Sequence, residues 1–285
     1  MGVRRMGSKR YAPVGVCIYC GTTSRKLTDE HIIAYGLNAN AILPKASCED
    51  CNKITRKIEE SVLRGFAWQM RTALGFQTRR PKEAPKTFRL GVVRGGAEEE
   101  IDVPVEDHPI LLSLPMYEPP AYLDNRIYKK ARDYKEGIGL SGLVTVWFRD
   151  REEILRRFNA ESIFVVQKMD HIAFAQMLGK IAYCFAVAEL GLAAIEEPYI
   201  LPAIRGERND IGQWVGSTNF VFPPSPGIDH NTEVTSWMWP NAEPPDGFIL
   251  ALIRLFSHAP SPGYMVVVGR PRPTEGACGL QAIPE

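Results

Sequence analysis

The chain has 285 residues, enough for one large domain or two ordinary ones, and its 45% hydrophobic and 24% charged content are those of a soluble globular protein. The net charge of +1 hides an asymmetry. Residues 1–89 carry 17 Lys and Arg against 7 Asp and Glu, while residues 90–285 carry 17 against 26. A basic module fused to an acidic one implies that the first part meets a polyanion, nucleic acid being the obvious one.

Residues 1–13 read as a basic flexible arm. No apolar run follows Arg4 and Arg5, so no secretory signal is expected, and Met6 misses the myristoylation pattern. The most apolar stretch, Ile181 to Ile195, is too short to cross a bilayer and contains Glu189. A cytoplasmic protein without membrane contact is expected, and reduced thiols there favour metal binding over disulfides.

Cys17 and Cys20 form one C-x2-C pair, and 27 residues later Cys48 and Cys51 form another. Two such knuckles are a tetrahedral zinc pattern, with four thiolates closing the ion's coordination, so the predicted ion is structural. Between them, Val14–Cys17 and Leu27–Ile33 are β-prone pieces around a turn-rich Gly21–Arg25. Ser47 with Asp50 resembles a capping box, predicting a helix from Glu49 to about Leu74. Ile54, Ile58, Val62, Phe66 and Met70 recur every four residues as its buried stripe, with Lys53, Arg56, Lys57, Arg64 and Arg71 on other faces.

The Pro-rich 79–86 segment is the expected linker between residues 14–78 and 87–285. Beyond it, a hairpin is predicted from Thr87 to Val105 around Gly95-Gly96, then an irregular stretch from Pro104 to Pro120. Strands are expected at Leu143–Phe148 and Ser162–Val166, with a helix over 152–158 between them. The strongest helix is His171–Leu190, capped by Asp170 and ended by Gly191. Strands at Phe248–Phe256 and Tyr264–Gly269 complete an α+β second half.

The segment inside the cysteine bracket carries chemistry. Glu30 and Asn52 are hard-oxygen metal ligands, and His31 titrates near neutrality, as a general base should. Asp29 is the rival of Glu30, although strand alternation sends the two to opposite faces. Asn38 and Asn40 are the asparagines of the loop that follows. Lys45, Lys53, Arg56 and Lys57 are candidate phosphate contacts of salt-sensitive, sequence-independent type.

Together Cys17-Ile-Tyr-Cys20-Gly21, Thr28-Asp-Glu-His-Ile-Ile33, Asn40 and Ser47-Cys-Glu-Asp-Cys-Asn52 resemble the HNH endonucleases, the ββα-metal nucleases, over about residues 14–75. Ala34 departs from the proline usual after His-Ile-Ile, and Glu30 stands where many members have Asp. The resemblance implies an N-terminal ββα-metal module stapled by a zinc on four cysteines, followed by a larger mixed α+β domain. It implies hydrolysis of DNA, RNA not being excluded, with His31 as base, Glu30 and Asn52 holding Mg2+ or Mn2+, and Asn40 orienting the site. Defence against foreign DNA and self-association through the second half are further expectations by analogy. The alternative is a zinc-containing protein that binds nucleic acid without cutting it and carries an acidic interaction domain.

Overall fold

The computed structural model describes residues 9–37, 41–76, 84–127, 135–165, 168–219, 233–239, 247–256 and 259–273. The chain is mixed α and β. At its N-terminal end, β1 (Lys9–Arg10), β2 (Leu27–His31) and β3 (Ala41–Cys48) make one sheet in the order β1-β3-β2. β2 and β3 are antiparallel and β1 joins β3 in parallel, so Lys9 and Arg10 are sheet rather than flexible arm. The expected strand at Val14–Cys17 is instead the approach to a knuckle. There Gly21, at φ 73°, donates its N–H to the Cys17 carbonyl at 2.8 Å.

The hairpin contains a bulge. Thr28 faces Ser47 and Glu30 faces Leu43, so two steps of β2 span four of β3, with Lys45 at φ 49° in the gap. Asp29 accepts the Lys45 backbone N–H at 3.4 Å and pairs with Arg10 at 2.8 Å. A bulge of this kind re-aims the side chains beside it.

α1 (Glu49–Arg64) begins directly after β3. Its N-cap is Cys48, without a side-chain cap; Ser47, the expected cap, donates its hydroxyl to the Cys48 carbonyl instead. The predicted single helix breaks at Gly65, where a Cβ would lie 2.5 Å from the Ser61 carbonyl, and resumes as α2 (Trp68–Ala73). The apolar stripe survives the break: Ile58, Val62, Phe66 and Met70 are all buried. Arg71 is not on an outer face. It is buried and donates to the carbonyls of Gly36 and Leu63, tying the loop after β2 to the helix pair.

Residues 79–83 of the expected linker lie outside the described residues. Beyond them, β4 (Thr87–Arg94) and β5 (Ala97–Pro104) form the predicted hairpin. The stretch read as irregular holds a strand, β6 (Leu111–Tyr117), and is followed by α3 (Ala121–Ile127). β6 pairs with β7 (Leu140–Trp147), and the N–H that Pro115 lacks is not needed beside a single partner strand. α4 (Arg151–Arg157) leads to β8 (Ser162–Phe164), which adds to β4.

α5 (His171–Leu190) is the helix around which the rest is built. Asp170 caps it by accepting the Ala173 N–H at 2.9 Å, and Gly191 at φ 86° ends it. β9 (Ile195–Glu197) and α6 (Leu201–Ile204) follow. Then β10 (Val215–Thr218), β11 (Glu233–Trp239), β12 (Phe248–Arg254) and β13 (Gly263–Pro271) form an antiparallel sheet ordered β10-β13-β12-β11, with β9 on β13. α5 packs on this sheet and on α1. It is the one described helix long and apolar enough to cross a membrane, and most of it is buried inside the protein.

One hydrophobic core runs from Cys17 to Val268, across the expected boundary between the halves. Phe174 of α5 is fully buried in it, with ring contacts to Phe66 at 5.1 Å, Tyr264 at 5.5 Å and Tyr117 at 6.3 Å. The knuckle is locked to the same helix. Tyr183 donates its hydroxyl to the Ile18 carbonyl at 2.6 Å, and the Tyr19 hydroxyl lies 3.2 Å from the Cys184 sulfur.

Candidate metal centre

The knuckle at Cys17–Cys20 and the β3–α1 junction at Cys48–Cys51 meet, bringing all four sulfurs within 4.8 Å of one another. Such a set of thiols could hold one metal ion. Cys17, Cys48 and Cys51 are buried and Cys20 is exposed. Burial pushes the Cys48 thiol up, but hydrogen bonds from the Cys51 backbone and from neighbouring thiols outweigh it and bring it down to about 7. Burial, reinforced by the Cys48 sulfur, raises Cys51.

His31 lies half-buried at the end of β2, its ring edge-on to exposed Tyr35 at 5.9 Å. Asn52 lies in the first turn of α1, and its side-chain oxygen accepts from Arg56 Nη2 at 3.2 Å. Asn40 and Asn38 fall outside the described residues. Among the candidate phosphate contacts, Lys45, Lys53, Arg56 and Lys57 are all exposed. Lys53 pairs with Glu49 at 3.1 Å and Asp50 at 3.7 Å, and its ammonium is raised by the Glu49 contact. Asp29, the rival of Glu30, is exposed and sits between Arg10 and the Lys45 backbone N–H.

Glu30 points inward, only 3% exposed. Its Oε1 receives Lys180 Nζ at 2.8 Å, and the same ammonium reaches Glu59 Oε1 at 2.8 Å and donates to the His31 carbonyl. With the Ile32 carbonyl at 3.4 Å, the three N–H donors are shared among four acceptors, and the cluster of two carboxylates and one ammonium carries one net negative charge. Burial pulls the Lys180 ammonium down, but Glu30 and Glu59 together outweigh it and raise it. The second oxygen, Glu30 Oε2, is buried without a hydrogen-bond partner among the described residues. On α1, Asn52, Arg56 and Glu59 follow at i, i+4 and i+7, one polar stripe about 10 Å long at 1.5 Å per residue.

Glu30 and His31 are thus brought together by β2, and Asn52 enters from α1 at the other end of that stripe. Lys180 and Glu59 were not anticipated from sequence. A lysine inside the apolar run Met177-Leu-Gly-Lys-Ile-Ala-Tyr-Cys184 was the available signal, because a charge there demands a buried partner. Cys184 is no reactive thiol: burial pushes it up to about 12. No protein-family model, curated protein or solved structure matches the chain.

Proposed function

We propose that the chain is a metal-dependent endonuclease of the HNH type that hydrolyses DNA phosphodiesters. The observation that carries this reading is the cysteine cluster, which ties the Cys17–Cys20 knuckle to the β3–α1 junction, with His31 at the end of β2 and Asn52 in the first turn of α1. Four thiolates suit zinc and leave it no open position, so that ion is structural.

Glu30 and Asn52 carry oxygen donors of the kind a hard divalent cation such as Mg2+ or Mn2+ takes: Glu30 Oε2 is buried without a hydrogen-bond partner among the described residues, and the Asn52 amide oxygen accepts from Arg56 at 3.2 Å. Held by these residues, such a cation would neutralise charge on the scissile phosphate and the departing oxygen. His31 takes the proton of the attacking water, a role suited to an imidazole that is half-buried rather than sealed. Lys45, Lys53, Arg56 and Lys57 hold the polyanion electrostatically.

The second reading, nucleic-acid binding without cleavage, is favoured by the engagement of Glu30 Oε1 with Lys180. Supercoiled-plasmid nicking with Mg2+ separates the two. Wild type cuts, and His31→Ala loses about 10²–10⁴-fold in rate, the usual contribution of a general base. Equal DNA binding by both proteins with no cutting by either would sink the enzyme reading.

A further inference from the structure

We propose that Lys180 is a built-in competitor for the divalent cation, so that the core helix α5 sets the metal affinity of the proposed nuclease site. The inference rests on the endonuclease reading and concerns Lys180 as a positioning residue, since it acts through Glu30. Its ammonium lies 2.8 Å from an oxygen of Glu30 and 2.8 Å from an oxygen of Glu59. That is where a cation balancing two carboxylates belongs. It is 1% exposed, so water screens it little.

A dication at Glu30 Oε2 sits on the same carboxylate as this ammonium and is repelled by it. The ammonium also holds the carbonyls of His31 and Ile32, which keeps Glu30 and His31 in place while the cation site is only weakly negative. The cluster's net charge then predicts the order of affinities. It is −1 in the wild type, −2 in Lys180→Met and 0 in Glu59→Gln, where Lys180 is left to Glu30 alone.

The test uses zinc-loaded full-length protein and Mn2+ as the probe, titrated by calorimetry and by the electron-paramagnetic-resonance signal of free Mn2+. Lys180→Met binds Mn2+ at least tenfold more tightly than wild type, and Mn2+ raises its melting temperature more. Glu59→Gln binds at least tenfold more weakly. Glu59→Gln keeps an amide oxygen for Lys180, so it reports even if Lys180→Met fails to fold. A purely structural Lys180 leaves the Glu59→Gln affinity unchanged, which overturns the inference while wild-type nicking and Mn2+ binding leave the nuclease reading standing. Absence of Mn2+ binding in wild type and in both variants overturns the two together.

Discussion

Replacing Cys51 by Ser tests whether the cysteine cluster holds the fold together. A serine hydroxyl is a poor zinc ligand, and the cluster has no fifth sulfur among the described residues to replace it. Releasing the metal frees the knuckle that seats Ile18 and Tyr19, which are 3% and 1% exposed. Exposing those two side chains costs about 3–4 kcal/mol, and the bonds Tyr183–Ile18 and Tyr19–Cys184 add about 1 kcal/mol each. A loss of about 5 kcal/mol is a large part of the usual 5–15 kcal/mol of net stability. At about 2–4 °C per kcal/mol for a chain of this size class, the melting temperature falls by about 10–20 °C. Zinc content by mass spectrometry and a calorimetric melt give the readout, with Cys184→Ser as the buried-thiol control that keeps its zinc. A Cys51→Ser protein with a full equivalent of zinc and a melt within two or so degrees of wild type would refute the reasoning.

Two other outcomes are expected. Phe174→Ala removes the ring shared by Phe66, Tyr117 and Tyr264 and costs about 3–5 kcal/mol; because the core is continuous, zinc release and unfolding coincide in one transition, and two separate melts would contradict that continuity. His108 is buried, and burial, then the Arg149 charge, lowers its imidazole to about 4. The unfolded chain therefore binds more protons between about pH 4 and 6.5, so this contribution is complete above 6.5 and lost as pH falls through 4. The loss is about 3 kcal/mol, and His108→Gln flattens the acid limb of a melting-temperature profile; an unchanged slope assigns that limb elsewhere.

What could be read from sequence is what local spacing determines. The two cysteine pairs meet as their spacing implies, and α5 starts at Asp170 and stops at Gly191 because capping is decided within a few residues. β6 was hidden because Pro115 reads as a breaker, whereas a strand with one neighbour tolerates it. Val14–Cys17 has strand-forming residues, yet the cysteine pair forces a turn there. The helix from Glu49 stops at Gly65, whose ψ of −124° leaves the helix and where a Cβ would lie 2.9 Å from the Lys168 carbonyl, a neighbour no sequence window shows. Glu30 stands out in the sequence as the acid beside His31, but its engagement with Lys180 and Glu59 does not, since the lysine lies 149 residues beyond His31. Hydrophobic periodicity records which face of a helix is buried, not which distant charge will meet it there.

That separation in sequence also imposes an order in time. A ribosome releases both cysteine pairs well before α5, so the clasp and its hairpin can close before that helix is made. Lys180 arrives only with α5, and until then Glu30 and Glu59 lack their internal ammonium. The newborn module can thus gather its cysteines while it is still electrostatically unfinished, and its maturation waits on a helix synthesised far downstream.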